Sequence, residues 1–327
     1  MTADKDKLIP PTFHDVLLAR QRLAPYLRPT PVFQSPFLDS TLGFKAYIKC
    51  ENLQPTGAFK VRGGINLLSQ LPAEYRRRGV ITASSGNHGQ SIAYAGRAFG
   101  IPVTVHVPTG TSPLKIRAME NLGAQVVVAG KDYDAAREMA EARAATEGFY
   151  YVHSANEPHL IAGVATTALE LLETVPELEV LIVPIGAGSG ACGAGLVVKT
   201  LNPKVQLIGV QAAGAAAVYH SWRTRRLQSI PEVRTFAEGL ATRVAFELPF
   251  KMLQAYLDDF VLVTDEELKQ AIRFLLEMTH MLAEGAGAAA TAAALQLREQ
   301  LAGRHVGIIL SGGNMNLERL QAVLQEG

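Results

Sequence analysis

This chain of 327 residues lacks an excess of charge of either sign: 31 basic residues stand against 30 acidic ones, for a net charge of +1. That balance excludes the basic stripe of a nucleic-acid binder and the polybasic run of a membrane-surface protein. The one basic cluster, Arg76, Arg77 and Arg78, falls between a turn and a strand and reads as a solvated loop. Cysteine is scarce. Cys50 and Cys192 stand far apart with no metal spacing, which points to reduced, buried thiols in a cytosolic protein. Long apolar runs are missing, so no segment spans a bilayer, and the polar start Met1–Lys7 has no apolar signal core. Neither a low-complexity linker nor a solenoid-type repeat interrupts the chain.

What is present is apolar: 48% hydrophobic residues against 19% charged ones, enough for a well-buried core and for two domains or one large one. Continuous strand-like runs occur at 46–50, 80–83, 103–107, 126–128, 150–152, 180–183, 206–210, 260–263 and 306–310. Helical patterns at 12–27, 90–99, 113–122, 133–147, 160–173, 265–282 and 317–325 separate most of them. Short apolar strands between helices predict a parallel sheet covered on both faces, an α/β class with doubly wound character. Residues 30–33 read as an extended piece, and the Ala-rich run 285–294 as a tightly packed buried helix.

In open α/β sheets, ligands bind beyond the carboxyl ends of the strands. Four glycine-bearing turns lie there. The first is Glu51-Asn-Leu-Gln-Pro-Thr-Gly-Ala-Phe-Lys60-Val-Arg-Gly-Gly64. Pro55 and Gly57 break the preceding strand, and Thr56 is placed as the N-cap of a helix whose first turn holds Lys60. The helix dipole is positive at that end, and Arg62 adds repulsion. Both favour a neutral amine, a nucleophile able to form a Schiff base with a carbonyl. The alternative is a solvated surface lysine. The second turn, Ser84-Ser85-Gly86-Asn87-His88-Gly89-Gln90, sets several donors at a helix N-terminus and suits a carboxylate. An ordinary cap turn, with a structural His88, is the other reading.

The third turn is Pro184-Ile-Gly186-Ala187-Gly188-Ser189-Gly190-Ala-Cys-Gly193, a candidate phosphate cradle. Gly188, Gly190 and Gly193 also match the dinucleotide fingerprint. That reading needs a carboxylate at the end of the next strand, where Gln211 stands. The fourth turn is Ser311-Gly-Gly-Asn314, in which Ser311 is placed to hydrogen-bond a ring nitrogen unless this is only a Gly-rich turn.

Together, in this order, the four turns resemble fold-type II pyridoxal-phosphate enzymes of the threonine/serine dehydratase and serine racemase family, from about residue 29 to residue 314. The resemblance implies a tryptophan synthase β-like fold. Its large cofactor-binding domain comprises residues 1–69 and 154–327, and a small mobile domain, 70–153, is nested within it. It implies that Lys60 carries pyridoxal 5'-phosphate as a Schiff base. Phe59, Asn87, Gly239 and Glu284 would lie beside the cofactor, with Asn87 on its phenolic oxygen. Backbone N–H groups of Gly186, Ala187, Gly188, Ser189 and Gly190 would hold the phosphate, and Ser311 the ring nitrogen. Ser84, Asn87 and His88 belong to the turn that takes the substrate carboxylate.

The implied activity is that of an ammonia-lyase (dehydratase). Lys60, freed by the incoming amino acid, removes the α-proton; the β-hydroxyl leaves; a 2-keto acid and ammonia follow. L-Threonine, L-serine and a bulkier β-hydroxy amino acid are the candidate substrates. The rivals are a serine or aspartate racemase that uses Lys60 and Ser85 as two bases, and a β-replacement synthase. A cytoplasmic homodimer without nucleic-acid or membrane partners is expected, and no regulatory domain is expected after Ser311.

Several positions depart from the family's pattern. Ala187 and Ser189 interrupt a loop that is usually four glycines. Gln211, Ala215 and Ala217 occupy the family's divalent-cation positions and lack its carboxylates, so no metal is expected there. His153-Ser-Ala replaces the usual wall after the small domain, and Gly285 follows Glu284 where proline is common. The segment 235–243 is unlike the best-known members and is placed to line the side-chain pocket.

Overall fold

The computed structural model describes residues 9–325, so the polar run Met1–Lys7 lies outside them. The described strands are β1 (Val32–Phe33), β2 (Lys45–Cys50), β3 (Val80–Ala83), β4 (Val103–Val107), β5 (Gln125–Val128), β6 (Tyr150–Tyr151), β7 (Val180–Pro184), β8 (Gln206–Ala212), β9 (Asp259–Val263) and β10 (His305–Leu310). They form two sheets. One runs β1-β2-β10-β7-β8-β9 and the other β5-β4-β3-β6. Every pairing is parallel except β1 with β2. That antiparallel edge is the one element outside the expected parallel pattern, and only two residues carry it.

The central strands show why the class was legible. Val180, Leu181 and Ile182 are consecutive and all 0% exposed, so both faces of β7 are covered. The Ala-rich stretch forms the helix Gly285–Gln296, buried along almost its whole length. Small side chains let it approach the 311–314 turn closely: a Cβ on Gly287 would stand 2.0 Å from the Gly312 carbonyl oxygen.

Some boundaries move. Arg76–Arg78 form the last turn of the helix Ala73–Arg78 rather than a loop, and Arg76 donates to the carbonyls of Ser69 and Leu71. The helix expected to reach 282 stops at Thr279, where His280 turns left-handed at φ 58°. At the N-terminal side a Thr12/Asp15 capping box starts the helix Phe13–Leu23. Three short helices, Pro36–Leu42, Ala217–Thr224 and Glu247–Tyr256, were not expected from periodicity. Cys50 and Cys192 are free and buried. No described helix is long and apolar enough to cross a membrane.

Candidate active site

The helix Lys60–Ser69 begins at Lys60 itself. Its N-cap is Phe59, which makes no side-chain cap bond, and Thr56 does not cap it. The Thr56 hydroxyl lies 3.5 Å from the Ala58 carbonyl instead, because Gly57 (φ +68°) turns the chain between them. Lys60 is therefore in the first turn, as expected, but by a different route. Its Nζ donates to Ser189 Oγ at 2.7 Å and to the Ser154 carbonyl at 3.4 Å. Burial lowers its pKa from 10.5 to about 8, with the nearby Cys192 acting in the opposite sense.

The expected contribution of Arg62 is overturned. Its guanidinium points away from Lys60, with two bonds of 2.8 Å to the Glu51 carboxylate and one of 2.6 Å to Glu170 Oε1. Lys49 joins the cluster by donating to Glu170 at 2.6 Å. A charge neutralised in that way has little effect on Lys60. The lowered pKa follows from desolvation, and the surface-lysine alternative is excluded.

A cavity of about 380 Å³ opens at the carboxyl ends of β7 and β10 and reaches the end of β3. Its floor is the third turn. β7 ends at Pro184, and the helix Ser189–Leu201 begins behind Gly188, whose φ of +104° favours glycine. Gly186 faces the Gly239 carbonyl: a Cβ there would sit 2.2 Å from that oxygen. One on Gly190 would sit 3.1 Å from the Phe59 ring. The turn 186–190 thus runs into a helix N-terminus, and its glycines leave no room for larger side chains, an arrangement that suits an anion. Gly186→Ala is expected to push residue 239 aside and weaken phosphate-dependent cofactor binding by about 10- to 100-fold, the cost of modest overpacking. Equilibrium dialysis against the cofactor measures it, and unchanged affinity would remove the cradle assignment.

Ser311 follows β10 directly and is 5% exposed, and its hydroxyl donates a long 3.4 Å bond to the Ala286 carbonyl. A neutral hydroxyl, not a carboxylate, therefore stands at this corner of the cavity. Gly239 meets the cavity through its backbone.

On the opposite side lies the Ser84–Gln90 turn. Its helix starts at Asn87, three residues earlier than periodicity suggested, so Asn87 and His88 sit in the first turn. Ser84 Oγ accepts from Gly86 N at 3.1 Å, and Ser85 lines the cavity. The Asn87 side chain is held at both ends. Its Nδ2 donates to Glu284 Oε1 at 2.6 Å, and its Oδ1 accepts from Asn314 at 2.7 Å. Burial raises the Glu284 pKa to about 7, against the pull of the Asn87 hydrogen bond. The His88 ring is turned to the Thr82 hydroxyl at 2.9 Å, and burial, aided by Lys60, lowers its pKa to about 3. His88 is neutral and offers a carboxylate no charge.

All the sequence-predicted site residues thus come together around one cavity. Asn314, visible only as the end of the fourth turn, touches the site through its bond to Asn87. Ser154 and Glu238 line the space from the His153-Ser-Ala wall and the 235–243 segment marked above, whereas Tyr133, Phe246 and Lys115 went unmarked and reach it from elements distant in sequence. Tyr133 OH and Ser154 Oγ are 3.2 Å apart. Lys115 pairs with Glu238 at 2.6 Å, and Arg243 with Asp134 at 2.6 Å. Among the described residues no group of three or more His, Cys, Asp or Glu is arranged to hold a metal. Gln211 instead accepts a bond from Tyr219 N at 3.0 Å.

Comparison with known proteins adds the following. The model of the family described as "Pyridoxal-phosphate dependent enzyme" matches residues 23–312. An L-threonine ammonia-lyase of Thermotoga maritima is 38% identical over 316 residues, 97% of this chain and 79% of the relative. An L-threo-3-hydroxyaspartate ammonia-lyase of Saccharomyces cerevisiae is 36% identical over 317 residues, 97% of each chain. Maize serine racemase superposes with a TM-score of 0.91 at 30% identity, covering 97% of this chain and 98% of that one.

Proposed function

The chain belongs to the family of pyridoxal-phosphate dependent enzymes, and from that premise we propose that it is an ammonia-lyase that converts a β-hydroxy amino acid to a 2-keto acid and ammonia. The observation that carries the proposal is the half-buried Lys60 amine, held by Ser189 and Ser154 and, among the described residues, with no carboxylate partner, at the edge of a glycine cradle. These groups fit the cofactor. The amine has a lowered pKa that helps it meet an aldehyde, Gly186, Gly188 and Gly190 keep bulky side chains out of the turn where a phosphate would lie, and the far corner carries the Ser311 hydroxyl. When bound, the cofactor supplies an aldehyde for the amine and a ring that spreads charge from the substrate α-carbon.

The rest is done by the chain. Ser189 Oγ fixes the Lys60 Nζ at 2.7 Å, which aims a neutral base at the α-proton. Asn87, fixed by Glu284 and Asn314, has one N–H left for a cofactor oxygen. First-turn N–H groups of the helix Asn87–Phe99 suit the substrate carboxylate. Ser311, being neutral, does not hold the ring nitrogen protonated, which favours loss of a β-substituent over a long-lived α-carbanion. A small domain of residues 70–153, built on the four-stranded sheet, would close over the site and exclude water. The Lys115–Glu238 and Arg243–Asp134 pairs join it to the 238–243 segment and support that division. A homodimer belongs to the same reading.

Racemisation is the second reading, because Ser85 lines the cavity. The reconstituted protein is expected to release keto acid from L-threonine or a larger β-hydroxy amino acid, coupled to a keto-acid dehydrogenase assay. Ser85→Ala is expected to retain at least about a third of that rate, since one base suffices for elimination. Enantiomer formation that exceeds keto-acid release, and disappears in Ser85→Ala, would replace the lyase reading with the racemase one.

A further inference from the structure

The lining of the cavity bears on which β-substituent a substrate can carry. Tyr133, Phe246, Leu240 and Thr242 line it, and Phe246 is fixed by an edge-on contact with His153, ring centroids 4.6 Å apart. Among the described residues, the cations that line the cavity are Lys60 and Lys115. Lys60 is taken up as the cofactor's anchor in the loaded protein, and Lys115 is already paired with Glu238. Arg243, next along the chain to Thr242, is committed to Asp134 at 2.6 Å. The neighbouring histidines bring no charge either: burial lowers the pKa of His88 to about 3 and that of His153 to about 4. Glu284 meanwhile adds a carboxyl group to the same space, beside the paired Glu238.

A second carboxylate on the substrate would therefore lose its water without gaining a free cation, which is a large cost. An uncharged apolar or aromatic β-substituent meets the Phe246 and Tyr133 rings instead. We propose that Phe246, Tyr133 and the Lys115–Glu238 pair select β-hydroxy amino acids with an uncharged, apolar or aromatic β-substituent and reject those with a β-carboxylate. The proposal names the substrate class of the lyase reading and rests on it for turnover, though not for binding.

Two measurements on the cofactor-loaded protein separate the two claims. Turnover of L-threonine, 3-phenylserine and 3-hydroxyaspartate is read as keto-acid release. Binding of the non-eliminating L-phenylalanine and L-aspartate is read from the shift of the cofactor's visible band. Both the phenyl and methyl substrates are expected to exceed 3-hydroxyaspartate in kcat/KM by at least about 10-fold, the scale of an unpaired charge or a filled apolar pocket. L-Phenylalanine is expected to bind more tightly than L-aspartate by a similar factor. Phe246→Ala should cut affinity for phenylalanine about 10-fold and leave the melting temperature within a few degrees. Glu238→Gln, at a half-exposed side chain, frees Lys115 and should narrow the gap by strengthening aspartate alone.

Preferential binding and turnover of the dicarboxylic amino acid would overturn the proposal. Equal phenylalanine affinity in the wild type and in Phe246→Ala would overturn it as well. If no amino acid yields keto acid while the binding order holds, the lyase reading fails and the pocket assignment stands.

Discussion

Lys60→Ala is expected to abolish the visible band of the cofactor-loaded protein and to lower turnover by at least about 10⁴-fold, because one side chain is both covalent anchor and base. Neither role passes to a neighbour. Lys49 is buried in the Glu170 pair and Lys115 is held by Glu238, so no other cavity-side amine is free. Lys60→Arg should fail equally, since guanidinium is neither nucleophile nor base at neutral pH. Folding should survive both changes in the absence of cofactor, because among the described residues the Lys60 amine makes two hydrogen bonds, one of them long. The pH dependence has a definite sign. A pKa lowered to about 8 means that the amine is charged below that pH and neutral above it. Cofactor capture by the empty protein should therefore accelerate as pH rises through about 8 and then level off, whereas an ordinary lysine would still be titrating near pH 10. Stopped-flow absorbance measures the profile, and a rate still climbing at pH 10 would refute the neutral-amine account.

Arg62→Met is expected to destabilise the fold by about 3–5 kcal/mol, the usual penalty for removing one partner of a buried ion pair. Glu51 is 0% exposed, and the two guanidinium bonds hold it ionised together with a 2.6 Å bond from Thr30. Burial pushes its pKa up, but the Arg62 charge and these bonds outweigh that and leave it below the usual glutamate value. A carboxyl with a depressed folded pKa stabilises the protein above the ordinary glutamate range and loses that contribution as pH falls through the folded value. The difference between Arg62→Met and wild type should thus be full at pH 7 and shrink below about pH 4. Urea unfolding monitored by circular dichroism checks both points. The double variant Glu51→Gln with Arg62→Met should recover part of the loss, because no charge is then left alone. An additive double variant would show that Glu51 and Arg62 are not energetically coupled. Lys60 should keep its pH profile throughout, since desolvation rather than Arg62 sets it.

Parallel strands such as β7 and β10 were legible because burial on both faces writes them as unbroken apolar runs. The glycine turns were legible because backbone approach, as at Gly186 and Gly188, admits little else. Arg62 was misread because sequence distance says nothing about direction: two residues from Lys60, it turns to Glu51 and Glu170 from the other face of the same helix. Thr56 was misread because a left-handed Gly57 moves the cap to Phe59. Tyr133 and Phe246 carry no local signature. Only tertiary packing brings them to the cavity, and the readings that concern specificity depend on them.

The central claim is that Lys60, a single lysine with a lowered pKa, anchors the cofactor. Borohydride reduction of the cofactor-loaded protein, followed by peptide mapping, tests it most directly. The account predicts a single pyridoxyl-phosphate adduct on Lys60, absent from Lys60→Ala. An adduct on Lys49 or Lys115, or one spread over surface lysines with Lys60 unmodified, would contradict it.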